Sequence, residues 1–467
     1  MAEGARLREA LCARFALDPR ALRALRVGLG GLVLADLMSR AADLASFYTD
    51  QGLLPRAALI EPDATLPPMS LHLVAGSVGV VVVLFVLAAL AALALAWGVF
   101  PRVSALLSWI FAVSIQHRNP ALLSGGDQLL ALLLLWCAFA PLDGRGASQV
   151  HVRGVRAPLL VSVGTAAIVA QVCAVHLFAG LIKLRESPAW RGGHAVGLAL
   201  QDVSVSPWVA SWLGHELLLA GVTWGVLALE IGAPLALLAL PAGAARARTG
   251  VVLALLALHV GIALCLQVGI FPFVSIVALL ALVPSWGWDR LRVSLPSPGV
   301  EVSPPVRWRE GLGAALAALS LGSNVSSVWP AARPPASVAT PLAWAVLAQE
   351  WSMYVDLREP SGWFRVDGLH ASGEVTPLLL EGAPQGGGVR RHRNLRWHGY
   401  MGAMARRASL RQWMARQACR AQPFRRVEIH FECHHFCDER ADVPPPPPRE
   451  VIWCRGNPSV DSEERDP

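Results

Sequence analysis

One lysine and two histidines stand where they could handle a proton inside a membrane. Lys183 closes an apolar run that gives way to a polar, glycine-rich stretch, QVCAVHLFAGLIKLRESPAWRGG over Gln171–Gly193. On a helix, His176, Gly180 and Lys183 fall at i, i+4 and i+7 and share one face. A lysine just inside the end of an apolar helix has two readings. Its stem snorkels and lifts the ammonium into the headgroups, or it is a functional amine held at a membrane-embedded site. Taken alone, the stretch favours snorkelling, for which arginine is a free replacement. On the amine reading arginine fails, because a guanidinium cannot act as a base. An apolar surround disfavours the ammonium, and a neutral amine can then take a proton from an acidic hydroxyl where water is excluded. Gly180 would leave room beside the amine for a flat ligand, with residues 182–194 as the rim of its cavity. His259, the single histidine in the chargeless run Gly250–Pro284, would line the same cavity. Its structural alternative is a core histidine bonded to a helix backbone or to Glu230.

The elements that must hold these residues are membrane helices. Of 467 residues 54% are hydrophobic and 16% charged, and the mean hydropathy is +0.47. Charge-free runs cover Ser70 to the residue before Arg102, Ala157–Ile182 and Thr249–Trp288, and a bilayer core takes about 20 apolar helical residues to cross. The expected fold is an all-α polytopic membrane bundle of about nine spans, seven to nine in range, over residues 1–329. Span starts fall near 27, 71, 104, 128, 158, 217, 250, 270 and 311. The N-terminus is basic and amphipathic and has no cleavable signal pattern.

The formal charge of +7 lies in arginine-rich segments at 6–26, 143–156, 246–248 and 290–309. We read it as topology, not as a nucleic-acid footprint. With the N-terminus in the cytoplasm these segments all face inward. The loops 48–70, 117–127 and 182–216 and the chain after 330 then face outward, which gathers Lys183, Asp127, Asn119 and Asp50 on one side. Asp36, Arg40 and Asp43 share a helix face at i, i+4 and i+7, and Asp36 with Arg40 is expected as a structural i,i+4 pair within the bundle.

Residues 330–467 read as a small α+β extracytoplasmic domain. WSMYVDL and GWFRVDG are expected as short strands about a turn at Pro360-Ser361-Gly362, Asn394–Ala421 as a helix, and Val427–Cys433 and Glu450–Cys454 as strands. Pro444–Pro448 is a polyproline spacer and Asp461–Pro467 a disordered tail. Four of the eight cysteines, Cys419, Cys433, Cys437 and Cys454, lie in this part. His430, His434 and His435 invite a zinc reading, but strand alternation turns Cys433 away from His430 and His434. Disulfides are therefore expected, and no metal.

In order, DPRALRALRVGLGGLVLADL, FYTDQGLLPR, QHRNPALLSGGDQLL, HLFAGLIKLRESPAWRGG, LEIGAPLALL and HVGIALCLQVGIFPFVSIVALL resemble the HTTM (horizontally transferred transmembrane) domain family over about residues 18–285. The family includes the vitamin K-dependent γ-glutamyl carboxylases. The resemblance implies a base that deprotonates a reduced quinone at Lys183, in a segment matched by Ala179, Gly180, Leu184, Trp190 and Gly193. It implies a functional histidine at His259, ahead of Gly269 and Phe271, and ligand-binding roles around Asn119 and Asp127. Pro120 stands where the family has a further histidine. Quinol-coupled carboxylation of a peptide or small molecule is the activity so implied. The alternative is a non-catalytic protein of the same fold that binds a lipid or quinone or assembles with partners.

Overall fold

The computed structural model describes residues 10–60, 69–152, 158–201, 207–212, 214–293, 303–357, 361–379, 394–435 and 447–454. Among the described residues before 330, nine helices have ten residues or more: α1 Pro19–Ala41, α2 Val78–Trp97, α3 Pro101–Arg118, α4 Gly125–Phe139, α5 Val163–Glu186, α6 Glu216–Ala239, α7 Ala245–Cys265, α8 Phe271–Leu280 and α9 Arg307–Val328. Among the described residues five are long and apolar enough to cross a membrane: α2, α5, α6, α7 and α9. The other four stand where the sequence reading put spans but fall short in length or apolarity, so nine crossings are not established.

Local chemistry sets the helix ends. Asp18 caps α1 by accepting from the Arg20 amide at 2.8 Å, with Pro19 in the first turn. Gly98, at φ 85°, closes α2 in the left-handed conformation. Reciprocal capping boxes start α4, from Ser124 and Asp127, and α5, from Ser162 and Thr165. The most apolar window of α5 is 72% buried, against 28–33% in the other four, so α5 is the central helix. It packs on α4, α6 and α9. The arginine-rich stretch 143–156 contributes β1 Ser148–Val150, which pairs antiparallel with β2 Leu159–Val161.

The C-terminal part differs from expectation in detail. WSMYVDL is not a strand. Tyr354 takes φ 60°, and Trp351 and Gln349 are drawn into the bundle. The Gln349 and Gln171 side chains exchange amide hydrogen bonds of 2.7 and 3.1 Å, and Gln349 also donates to the Ser320 hydroxyl at 2.5 Å. A buried polar network of this kind favours one seating of the chain. Ser361 and Gly362, expected in a turn, open a strand. The sheet is antiparallel in the order β4 Val375–Pro377, β3 Ser361–His370, β5 Phe424–His435, β6 Glu450–Trp453. The single expected helix is two, α10 Leu395–Arg406 and α11 Ala408–Ala421, broken at Arg407. A disulfide joins Cys419 to Cys454 with the Cα atoms 5.3 Å apart. Cys433 is also disulfide-bonded. Cys437, most of the polyproline spacer and the acidic tail lie outside the described residues. His430 faces Glu428 at 3.5 Å.

The sheet domain and the bundle meet through charge. Arg396 pairs with Asp36, and Asp43 accepts from Asn394 at 2.6 Å and from the Trp397 indole at 3.2 Å. Asp36 also binds Arg40 at 2.6 Å, as the i,i+4 spacing suggested.

His72 lies in the turn Leu71–Leu73 ahead of α2, which begins at Val78 and not at Leu71. It is wholly buried, and neither ring nitrogen has a partner. Burial, with the nearby charges of Arg118 and Arg40, pushes its pKa from 6.5 down to about 4. Between those values the unfolded chain holds a proton that the folded one does not, so stability falls as pH drops from 6.5 and levels off below 4. The span is worth about 3 kcal/mol at roughly 1.4 kcal/mol per unit. Thermal unfolding of His72→Phe should lose less between pH 7 and pH 4 than the native protein. Parallel curves would contradict this.

Candidate functional site

Three helices bring the proton-handling residues together. Lys183 sits in the last turn of α5, but its side chain turns inward. It is 5% exposed, and Nζ donates to Glu230 Oε1 of α6 at 2.5 Å. Glu230 stands about 21 Å along α6 at 1.5 Å per residue. Pro234 lies inside the helix four residues on, and without an N–H it gives the carbonyl of residue 230 no helical partner. On its other side the ammonium lies 4.9 Å from the Trp190 ring centroid. Trp190 is fixed by its indole N–H, which donates to the Tyr354 carbonyl at 2.7 Å. A carboxylate and an aromatic face are the neighbours a cation attracts. The apolar surround expected for a neutral amine is therefore not what the structure builds.

One turn-pair deeper on α5, His176 contacts the Val172 carbonyl through Nδ1 at 2.7 Å and His259 of α7 through Nε2, also to Nε2, at 2.9 Å. A carbonyl only accepts, so the His176 proton is on Nδ1. With both rings neutral, its Nε2 accepts from His259 Nε2–H, and His259 Nδ1 carries a lone pair. Phe271 lies against His259 with ring centroids 5.6 Å apart. The two pairs share α5, where His176 and Lys183 stand two turns apart on one face. His259 is thus bonded to His176 and not to Glu230, and Lys183 is bonded to Glu230 two turns further along α5.

Other expected site residues go elsewhere. The space beside Gly180 is filled: a Cβ there would meet the Ile231 side chain at 2.7 Å and Glu230 Cβ at 3.2 Å. Gly180 therefore lets α5 and α6 approach closely and is not the floor of an open slot. Gly193 holds φ +78° and lies near the Trp224 indole nitrogen. Asp127 caps α4 and pairs with Arg40, and Asn119 donates to the Phe47 carbonyl at 3.1 Å. Both bond to structural partners, and among the described residues no hydrogen bond or ion pair joins them to Lys183 or Glu230. Pro120 starts a short 3-10 turn, Pro120–Leu122. Asp50 pairs with Arg56 at 2.7 Å. The residue that sequence reasoning did not connect to Lys183 is Glu230. Its signal was the one acid within the apolar run Leu217–Leu240.

Fold and site together define a polytopic helical membrane protein with a buried ion pair beside a buried histidine pair. The HTTM domain profile matches residues 16–288, more than half of the chain, and the chain belongs to the HTTM domain family. No curated protein and no solved structure matches it.

Proposed function

We propose that this protein binds a membrane-borne quinol at the Lys183–Glu230 pair and uses it in carboxylase-like chemistry on a peptide or small molecule. The observation that carries the reading is the inward lysine: paired at 2.5 Å with a carboxylate deep in a neighbouring helix, it is not placed as a headgroup anchor. Intramembrane ionisable pairs of this kind are costly and mark functional sites. The family resemblance supplies the quinol, and the membrane location suits a ligand that arrives from lipid. Pro120, at the place of the family's further histidine, favours a second reading in which the site binds without turnover.

The test is Lys183→Arg in protein reconstituted into lipid nanodiscs. The planar guanidinium does not fit where a compact ammonium sits against Glu230 and Trp190. Expression and insertion should be kept, and binding or oxidation of naphthohydroquinone lost by at least tenfold. A variant indistinguishable from native in both would make the lysine an anchor.

The proposal places the N-terminus in the cytoplasm, the domain after residue 330 outside, and about nine crossings between. Its support is the arginine distribution and the Cys419–Cys454 disulfide, which an oxidising compartment favours. Alkaline phosphatase fused after Pro330 should be active, and a cytoplasm-only reporter there dark. The reverse pattern would overturn the topology.

A further inference from the structure

We infer that Trp190 and residues 352–357 form the gate of this site: they cover the Lys183–Glu230 pair in this structure and swing aside to admit the ligand. The inference rests on the reading of that pair as a ligand site and adds its regulation. Lys183 is 5% and Glu230 7% exposed, so part of their cover must move before a ligand meets them. The seam between α5 and α6 is tight. A Cβ on Gly180 would meet the Ile231 side chain at 2.7 Å and Glu230 Cβ at 3.2 Å, and parting the two helices there would undo their packing. Beyond the end of α5 the cover is short and irregular. Trp190 sits in the four-residue helix Pro188–Arg191, which is followed by Gly192 and by Gly193 at φ +78°. Tyr354 and Leu357 pack against Trp190, and the Tyr354 carbonyl accepts the indole N–H at 2.7 Å. That hydrogen bond latches the two leaves.

Backbone strain marks the leaf that moves. Tyr354 holds φ 60°, in the left-handed region that a side chain enters only at a cost. Such a residue persists where its surroundings over-determine it. Here they do so from one side. Upstream, Trp351 is wholly buried and its indole donates to Gln349 Oε1 at 3.1 Å, while Gln349 is held by Gln171 and Ser320. That end is a fixed root. Of residues 352–357 Val355 alone is buried, and Ser352 and Asp356 are exposed. Few buried contacts mean a low local stability. The leaf therefore swings from its root at Trp351, relieves the strain at Tyr354 and draws the carbonyl off the indole. Trp190 then turns about Gly192 and Gly193 and uncovers the Lys183 ammonium, which lies 4.9 Å from its ring centroid.

The test is a reversible lock. A Cβ on Gly125, at the start of α4, lies 2.5 Å from Met353 Sδ and 3.4 Å from its Cγ, the place a cysteine Sγ takes. Gly125→Cys/Met353→Cys, oxidised in phosphatidylcholine nanodiscs, ties the leaf to α4. Association of naphthohydroquinone, followed by stopped flow under argon, should slow at least tenfold in the oxidised double variant and return to the native rate on reduction. The native protein with and without reductant is the control. Hydrogen exchange gives a check that needs neither ligand nor lock. The Val355 amide, bonded to the Ser352 carbonyl at 3.2 Å, and the His194 amide, bonded to the Ala189 carbonyl at 2.9 Å, report the two leaves. Trp190→Phe keeps an aromatic ring and deletes the latch, so both amides should exchange at least fivefold faster in it, with those in the middle of α5 unchanged. Equal association rates in the oxidised and reduced double variant would overturn the gate and leave the ligand site standing. So would Val355 and His194 amides that exchange as slowly as those of α5. No binding by the native protein would remove the site and the gate with it, whatever the exchange rates.

Discussion

Arg40→Ala should not accumulate as folded protein. Arg40 is 2% exposed and binds three partners, Asp36 at 2.6 Å, the Tyr48 hydroxyl at 2.7 Å, and Asp127. Its removal strands the Asp127 carboxylate, 2% exposed, with no cation beside it. Breaking a buried ion pair from one side costs about 3–5 kcal/mol, a large part of a typical stability of about 5–15 kcal/mol. The damage spreads, because Asp36 also holds Arg396 of the sheet domain and Asp127 also caps α4. Arg40→Lys should recover little, since one ammonium cannot fork to three separated partners. Size-exclusion profiles and thermal midpoints of solubilised protein check this. A native-like midpoint for Arg40→Ala would show that the cluster does not hold the bundle.

Lys183→Met should destabilise the protein by about 3–5 kcal/mol, because it leaves the Glu230 carboxylate buried with neither oxygen partnered. The double variant Lys183→Met/Glu230→Gln should recover most of that loss, since the stranded charge is gone. The coupling in this cycle separates the pair from an anchor. A snorkelling lysine would give single-variant losses below about 1 kcal/mol and no recovery. Thermal unfolding of the four proteins in one lipid composition is the measurement.

The sequence made some of this legible and hid the rest for physical reasons. Apolar run length located the long helices because it is local information. The Asp36–Arg40 pair was readable for the same reason, at i,i+4. Its extension to Asp127 was not, because 87 residues separate the partners. Glu230 was weighed as a partner of His259, yet its partner is Lys183, 47 residues away on another helix. Helix periodicity put Gly180 on the right face but could not say what stands opposite, and Ile231 does. Asn119 and Asp127 came from a motif, and motif spacing does not reveal that their polar atoms are taken up by Phe47, Ser124 and Arg40. WSMYVDL alternates like a strand, but burial of Trp351 and the left-handed turn at Tyr354 override that preference. Cysteine count and compartment logic were enough to expect a disulfide, though not its pairing.

The central claim is that the Lys183–Glu230 pair is a ligand site and not an anchor. The most direct measurement is a high-resolution structure of the protein purified in its own lipids and then saturated with naphthohydroquinone under argon. The account predicts density for a flat aromatic ring whose hydroxyl oxygen lies at hydrogen-bond distance, about 2.6–3.2 Å, from Glu230 Oε2 and in reach of Lys183 Nζ. Side chains or acyl chains packed against Oε2 at saturating quinol, with no ring density there, would contradict it.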